Sequence, residues 1–303
     1  MCQSYALVAP LVRNAIILLA VCYITSYGQE VSKASEVTSV KSKDGTRIGL
    51  ECAGKGPTLI FVHGGVGDRS RWTPMFPLLA SKFSVCAMDR RGRGSSGDSP
   101  EYGLTKEAED VASVVNSRTG PVLVFGHSYG GVVALEAAFL TDRITALMLY
   151  EPPLHEPPTN NRAVAKRVDD LVRKGDLELA LILFQTEIVK LSPEELERMK
   201  AGPAWPGLVA SMRVHARQMF ALSAYRFDAQ RMKSVKAPTL LLIGENTLSP
   251  YAKQTIAALQ ESLPNPTLVV LKRQEHNAME RGRVVLADEI TNFALSATGS
   301  APR

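Results

Sequence analysis

A glycine-rich hexapeptide with a central serine, Gly126 to Gly131, constrains this chain more than any other stretch. Residues 121–125 before it form a β-branched and aromatic run that is typical of a buried strand. Residues 132–139 after it are apolar apart from one glutamate and are typical of a helix that packs on a sheet. The pattern Gly-x-Ser-x-Gly at such a junction is typical of a sharp turn that exposes the serine hydroxyl. We therefore predict Ser128 as a nucleophile.

The residues around Ser128 suit the same turn. Gly126 and Gly130 have no Cβ, so the strand and the helix approach closely around a strained serine. The helix N-terminus places backbone N–H groups and positive dipole where negative charge would develop during attack on a carbonyl. The N–H of Tyr129, next to the nucleophile, is one predicted donor to that oxyanion.

An upstream run, residues 57–62, also predicts a buried strand, and it ends in the glycine-rich turn His63-Gly64-Gly65. A loop at this place aims a backbone N–H at the oxyanion of an acyl-transfer intermediate. We choose Gly65 as the second donor. His63 is expected to hydrogen-bond the backbone rather than take part in the chemistry.

A late histidine supplies the base. His276 lies in the polar loop 272–277, after the strand-like run 268–271. A neutral imidazole takes a serine proton near pH 7, so His276 is the predicted general base. The histidines show no metal-ligand spacing with a carboxylate or cysteine, and no metal is predicted.

These motifs, together with Asp89-Arg90-Arg91-Gly92-Arg93-Gly94-Ser95-Ser96-Gly97, resemble those of the α/β-hydrolase-fold superfamily. Within it the chain is similar to the lid-bearing serine esterases and lipase-like enzymes, over roughly residues 38–296. The resemblance implies an α/β fold with a mostly parallel eight-stranded sheet, helices on both faces and a helical cap. It also implies the chain order nucleophile, acid, histidine, and no cofactor.

The acid departs from the family pattern. It usually follows the strand that corresponds to residues 239–243, but here Thr247 stands near the usual aspartate. Glu245 lies in that same loop, whereas Glu151 ends the preceding strand-like run, where haloalkane dehalogenases and some other relatives place their acid. Two prolines follow Glu151 and restrict its backbone. We therefore favour Glu151 as the acid, with Glu245 as the alternative.

The arginines after Asp89 have two interpretations. Arg90, Arg91 and Arg93 would form a carboxylate- or phosphate-binding patch if they face a ligand. Alternatively, Asp89 and an arginine hold the loop beside the serine turn, which is the structural use that the family makes of such a loop. We favour this second interpretation.

The periodicity divides the chain into a core and a cap. Residues 38–151 and 236–296 contain the strand-like runs and form the predicted core, with a flexible lead-in at 29–37 and a flexible tail at 297–303. Residues 152–235 show helical spacing of apolar residues and are predicted as a cap over the site. Methionine and aromatic side chains that face the serine would line an apolar pocket.

Composition agrees with an enzyme that acts on a small molecule. With 45% apolar residues among 303, the chain is able to bury a full core. The net charge of +5 is spread along the sequence without the basic, aromatic-interleaved stripe of nucleic-acid binders, so no nucleic-acid partner is predicted. The expected partner is a small apolar ester or acyl substrate.

The first 28 residues have the order of a secretory leader. Arg13 precedes the apolar run 15–24, and the small residues Ser26 and Gly28 indicate a cleavage site. Residues 1–28 are therefore predicted as the signal peptide of a secreted or periplasmic protein. The apolar run is short for a stable membrane span. An N-terminal membrane anchor and a lipoprotein are the alternatives.

Without the leader, the chain has two cysteines, Cys52 and Cys86. The sheet of the family places their strands side by side, so a disulfide is one expectation in an oxidising compartment. Two separately buried thiols are the other, and the sequence leaves both open.

The predicted chemistry is that of a serine hydrolase. Ser128 would attack a small carboxylic ester or related acyl compound, His276 would move the proton, and Glu151 or Glu245 would orient the imidazole. Thioesterase, lactonase, amidase, C–C hydrolase and haloperoxidase reactions use similar machinery and stay open. So does a ligand-binding protein of this fold without turnover, favoured by the irregular loop 244–250 and opposed by the intact serine and histidine.

Overall fold

The computed structural model describes residues 35–154 and 158–297. The predicted signal peptide 1–28, residues 29–34 of the lead-in and residues 298–303 of the tail lie outside these ranges.

An eight-stranded sheet forms the centre of the described chain. Its strands are β1 (Glu36–Lys41), β2 (Arg47–Ala53), β3 (Thr58–Val62), β4 (Ser84–Met88), β5 (Val122–His127), β6 (Ile144–Tyr150), β7 (Thr239–Gly244) and β8 (Thr267–Leu271). They lie in the order β1-β2-β4-β3-β5-β6-β7-β8, antiparallel from β1 to β4 and parallel from β4 onwards. The central strands are apolar runs buried on both faces, as a parallel sheet requires. The predicted mostly parallel eight-stranded sheet is confirmed.

Two predicted boundaries are wrong by one or two residues. The lead-in was expected to extend to residue 37, but β1 begins at Glu36, which pairs with Cys52, and Val37 pairs with Glu51. An edge strand that is largely exposed needs no apolar run, so the sequence carries little signal for its start. At the other end, Ala297 is the last residue of a helix rather than the first of the tail.

Helices surround the sheet and fill the interval between β6 and β7. They are α1 (Phe76–Leu79), α2 (Leu104–Asn116), α3 (Tyr129–Ala137), α4 (Pro158–Lys174), α5 (Leu177–Phe184), α6 (Pro193–Lys200), α7 (Trp205–Ala224), α8 (Ala229–Met232), α9 (Pro250–Ser262), α10 (Ala278–Arg281) and α11 (Arg283–Ala297). A 3₁₀ helix, Arg69–Met75, precedes α1. Within the described ranges, no helix combines the length and apolar character that a membrane crossing needs.

Helices cover both faces of the sheet, because side chains alternate along each strand. In β3, Leu59 and Phe61 join an apolar cluster that includes residues of α1 and α11. Ile60 and Val62 point the other way and pack with residues of α2, α3 and α9. The expected three-layer arrangement is therefore present.

The helices α4 to α8 lie in the segment predicted as a cap, 152–235, and have an apolar core of their own. Met212 and Met219 of α7 pack there with Val168 of α4 and Leu181 of α5. These methionines therefore stabilise the cap itself. One face of α7 also rests on the loop after β4, because a Cβ added to Gly92 would lie 2.5 Å from Val214 Cγ1.

A disulfide joins Cys52 of β2 to Cys86 of β4. The two residues are direct partners in the antiparallel register of these strands. Of the two outcomes that the sequence leaves open, the structure has the disulfide.

Candidate active site

Ser128 lies at a strained turn between β5 and α3. Its backbone has φ 52° and ψ −128°, values that cost a non-glycine residue energy and occur mostly at functional sites. The turn is held because the Ser128 N–H donates to the Tyr150 carbonyl at 2.8 Å, and the Gly131 N–H donates to the Ser128 carbonyl at 2.8 Å. The serine side chain is half-buried at the start of α3.

The glycines beside Ser128 are needed for close approach of backbones. A Cβ on Gly126 would lie 2.5 Å from the Gly130 carbonyl oxygen. A Cβ on Gly130 would lie 2.4 Å from the carbonyl oxygens of both Val62 and His63. Real Cβ atoms do not make such contacts, so the turn accepts only glycine at these two positions.

Glu151 and His276 are in direct contact. Glu151 Oε2 lies 2.6 Å from His276 Nδ1, and the Glu151 side chain is 1% exposed. The other oxygen, Oε1, accepts from the Gly244 N–H at 2.8 Å and from the Thr247 hydroxyl at 2.5 Å. A buried carboxylate is stable only with such donors around it. The backbone of Glu151 is also strained, with φ 46°.

Glu245 is turned away from His276. Its carboxylate pairs with Lys272 at 3.0 Å and accepts from the Arg273 N–H at 2.8 Å. The hydrogen bond from the Arg273 backbone, and then that from Lys272, lower the pKa of Glu245. The structure thus brings His276 together with Glu151 and not with the alternative acid. Thr247, near the usual aspartate position, donates to Glu151, a contact that the sequence pattern does not predict.

Two buried aromatic side chains, His127 and Tyr150, hold the His276 loop, a role that the sequence pattern does not predict. His127 Nε2 donates to the His276 carbonyl at 2.8 Å, and the two imidazole centroids are 4.6 Å apart. Burial, and next the charge of His276, lower the pKa of His127 well below its usual value, so it stays neutral. The Tyr150 hydroxyl donates to the Glu275 carbonyl and accepts from the Ala278 N–H at 3.4 Å.

His276 has its Nε2 on the side of the ring opposite to the acid. Its Nδ1 is occupied by Glu151, and its side chain is 42% exposed. Among the hydrogen bonds of the described residues, none joins the Ser128 hydroxyl to His276 Nε2. In enzymes of this kind, the bond between nucleophile and base often tightens only when substrate is bound.

The turn at Gly64 and Gly65 lies beside Ser128, because a Cβ on Gly64 would be 3.2 Å from Ser128 Cβ. The Gly64 carbonyl accepts from His63 Nδ1 at 3.0 Å and from Arg90 Nη2 at 3.0 Å. The Gly65 N–H belongs to the same trans peptide and therefore points in the opposite direction to that carbonyl. The contacts fix the orientation of this predicted oxyanion donor.

Tyr129 lies at the start of α3, and His63 contacts the backbone as expected. Tyr129 is the first residue of α3, where a backbone N–H has no partner within the helix. His63 is fully buried, and its Nε2 accepts from the Arg90 N–H at 3.2 Å. Burial, and then Arg90, lower the pKa of His63 well below its usual value. His63 therefore acts on the backbone as a neutral ring.

The loop after β4 is held by ion pairs. Asp89 accepts from the Arg69 N–H at 2.9 Å and also pairs with the Arg69 guanidinium. Arg91 is buried and binds Asp110 through two bonds of 2.7 Å, and it also pairs with Asp44 at 3.0 Å. These contacts agree with the structural interpretation of Asp89 and Arg91.

A cavity of about 540 Å³ opens between the cap and the core beside the His276 loop. Its lining includes Gly67 after the oxyanion turn, Leu208 of α7 and Met279 of α10. Arg71, also on its wall, reaches Asn277 Oδ1 at 3.1 Å. In the described part of the chain, no three histidine, cysteine or acidic side chains are grouped so as to hold a metal ion.

The sequence matches the Alpha/beta hydrolase family over residues 59–289. This match covers more than half of the chain, and the chain therefore belongs to the alpha/beta hydrolase family. The α/β-hydrolase fold predicted from the motifs is confirmed.

Several known proteins are similar to the chain. An alpha/beta hydrolase from Sphaerobacter thermophilus has 32% identity and a TM-score of 0.74, covering 84% of this chain and 100% of that one. A malate-bound thermophilic esterase from Thermogutta terrifontis shares the fold at 23% identity and a TM-score of 0.68, covering 86% and 99%. An uncharacterized protein of Mycobacterium tuberculosis is 36% identical over 110 residues, 33% of this chain. The chain spans 31% of the length of that curated relative.

We expect Gly130→Ala to destabilise the fold far more than Gly131→Ala. The Cβ on Gly130 would overlap two backbone oxygens, which have no side-chain freedom, so we expect a loss of at least ~3 kcal/mol in the free energy of unfolding. A Cβ on Gly131 meets no atom closer than 3.1 Å, and alanine favours a helix, so this control should stay within ~1 kcal/mol. Urea unfolding measures both, and equal midpoints would contradict the packing argument.

Proposed function

We propose that the chain is a serine hydrolase that cleaves a small carboxylic ester or related acyl compound through an acyl-enzyme. The observation that carries this proposal is the 2.6 Å contact between Glu151 Oε2 and His276 Nδ1. The strained Ser128 follows His127, whose Nε2 contacts the His276 carbonyl at 2.8 Å. A carboxylate in this contact keeps the proton of neutral His276 on Nδ1. The Nε2 atom is then free to accept the serine proton.

The reaction would proceed in two steps. The Ser128 oxygen bonds to the acyl carbon while its proton passes to His276 Nε2, and the carbonyl oxygen becomes an oxyanion that accepts from the Gly65 and Tyr129 N–H groups. The alcohol then leaves with the proton of His276, which leaves the acyl group on Ser128. Water adds to that acyl carbon with His276 as base, and the carboxylic acid departs as Ser128 regains its proton. Glu151 stays ionised and stabilises the imidazolium.

The nucleophile is tested by Ser128→Ala. This variant should lose both labelling by a fluorophosphonate probe and hydrolysis of p-nitrophenyl butyrate, the latter by at least ~10⁴-fold, because no other hydroxyl takes the place of the attacking group. The half-buried serine contributes little packing, so the thermal midpoint should not fall. A folded Ser128→Ala protein that keeps near-wild-type turnover, or a wild-type protein labelled at another residue, would contradict the covalent mechanism.

The acid is tested by two matched variants, Glu151→Gln and Glu245→Gln. The first removes the charge that stabilises the imidazolium and should lower kcat on the order of 10⁴-fold. The second removes an exposed ion pair with Lys272, which contributes little, so kcat should stay within about two-fold. Steady-state kinetics on p-nitrophenyl butyrate measure both. A larger loss of kcat in Glu245→Gln than in Glu151→Gln would assign the acid to Glu245. If kcat fell in neither variant, neither glutamate would be the acid of the site.

We also propose that the chain is exported to an oxidising compartment, secreted or periplasmic. The disulfide between Cys52 and Cys86 supports this proposal, because disulfides persist in such compartments and are rare in the cytosol. Expressed with its native N-terminus in a secreting bacterium, the mature protein should begin near Gln29, as N-terminal sequencing would show. Recovery of folded protein with Met1 in the cytosolic fraction is the contrary outcome, and full-length protein in the membrane fraction would favour the anchor.

A further inference from the structure

Arg93 is a buried cation without a carboxylate partner. The residue is 3% exposed, and its guanidinium donates to Gln218 Oε1 at 3.0 Å and to the Ser211 carbonyl at 3.4 Å, both on α7. Its Nε has no hydrogen-bond partner. Among the residues that the structure describes, no aspartate or glutamate forms an ion pair with it.

The other arginines of the same loop are neutralised. Arg91 binds Asp110 and Asp44, and Arg90 pairs with Glu107 at 2.9 Å, with both side chains 1% exposed. Glu107 is the acidic group that acts on Arg93 through space, and it is already paired. The buried cluster of Arg90, Arg93 and Glu107 therefore carries one positive charge in excess.

An excess buried charge is unfavourable unless something else compensates it. Removing a guanidinium from water without a counter-ion costs several kcal/mol in real proteins. Burial, and next the charge of Arg90, lower the pKa of Arg93 to about 10. Arg93 is still protonated at pH 7, so the cluster keeps its positive charge under physiological conditions.

The cluster adjoins the candidate active site on two sides. Gln218, which accepts from both Arg90 and Arg93, also reaches the oxyanion turn, since a Cβ on Gly65 would lie 2.9 Å from Gln218 Nε2. Ser211, whose carbonyl contacts Arg93, accepts through its hydroxyl from the Gly67 N–H at 3.3 Å. Gly67 lines the cavity between cap and core. Arg93 is thus separated from the oxyanion turn by Gln218 and from the cavity wall by Ser211.

We propose that Arg93 binds a carboxylate of the substrate, so that the hydrolase prefers small acyl compounds with a free carboxylate at the end remote from the scissile bond. This inference rests on the proposed function and specifies its substrate class. The Nε of Arg93 has no partner, and Nε together with an Nη forms the planar fork that matches a carboxylate. Because Nη2 donates to Gln218 Oε1 and Nη1 to the Ser211 carbonyl, a substrate carboxylate would take the place of one of these two acceptors. One carboxylate would neutralise the single excess positive charge of the cluster, whereas a phosphate dianion would leave one negative charge uncompensated.

Two chromogenic substrates of equal length test the preference. Mono-p-nitrophenyl adipate and p-nitrophenyl hexanoate have the same six-carbon acyl chain and the same leaving group and differ in a terminal carboxylate or methyl group. Wild-type protein should show a kcat/KM at least ~10-fold higher for the adipate, since a hydrogen bond to a charged group contributes about 1.5–3 kcal/mol. The difference should appear mainly in KM, because the carboxylate lies away from the reacting atoms.

Variants test whether Arg93 is responsible for the preference for the adipate ester. Gln218→Glu supplies an internal carboxylate of the same shape to Arg93. The ratio of kcat/KM for the adipate ester to that for the hexanoate ester should therefore fall to about one, and the thermal midpoint should rise. Arg93→Met should also abolish the ratio, and Arg93→Lys should retain part of it. Ala210→Glu adds the same charge on the exposed face of α7 and is the matched control, with both substrates and their ratio at wild-type values.

A binding measurement separates this inference from the proposed function. Adipate dianion should raise the thermal midpoint of wild-type protein and not that of Gln218→Glu, with inorganic phosphate at equal ionic strength giving no shift. Hexanoate turnover without a preference for adipate, together with no adipate shift, would overturn the role of Arg93 and leave the serine hydrolase standing. An adipate shift with neither turnover nor fluorophosphonate labelling would support the carboxylate site and refute the hydrolytic mechanism. A phosphate shift as large as that of adipate would overturn the assignment to carboxylates.

Discussion

The buried carboxylate of Glu151 is the interaction on which the rest of the site depends. It sits at the end of β6 and accepts from the backbone at the end of β7, from Thr247 in the following loop, and from His276 after β8. Three neighbouring strand ends therefore converge on one charge. A carboxylate removed from water needs all of these donors, because each one lost leaves part of the desolvation cost uncompensated. The strained backbone of Glu151, with φ 46°, is the local cost of directing the side chain to that point.

Local patterns were sufficient to predict the fold and to select the candidate residues of the site. Ser128 stands in a turn whose glycines are required by backbone contacts, whereas side chains approach Gly64 and Gly65 most closely. The glycine-rich motifs of both turns are visible in the sequence. Glu151 was favoured from its position at a strand end, and its contact with His276 agrees with that choice. The task of Thr247 was not predictable, because its hydroxyl meets Glu151 only through the parallel pairing of β6 with β7, 96 residues apart in sequence. His127 and Tyr150 were missed for the same reason, since both act on a loop about 150 and 125 residues away.

The arginines after β4 show that a sequence motif does not predict which partner each of its side chains contacts. Arg91 and Arg93 stand two residues apart in the same loop, yet one is neutralised by Asp110 and Asp44 and the other faces the cap without a carboxylate. The motif describes the loop, whereas the partners come from α2, the β1–β2 turn and α7. The interpretation that Asp89 and an arginine hold the loop agrees with the ion pairs of Arg91. Arg93 has no carboxylate partner among the described residues and therefore fits the ligand-binding interpretation.

Side chains of the cap contact the residues of the site directly. The imidazole of His215 on α7 is fully buried, and burial lowers its pKa well below the usual value, so it is neutral. Its Nδ1 donates to the Gly65 carbonyl at 3.1 Å, while Gln218, three residues along the same helix, contacts Arg90 and Arg93. Any displacement of α7 would break both sets of contacts together. The orientation of the oxyanion turn and the environment of the unpaired cation are therefore coupled through one helix. A ligand that neutralises Arg93 would stabilise the position of α7 in which His215 contacts Gly65.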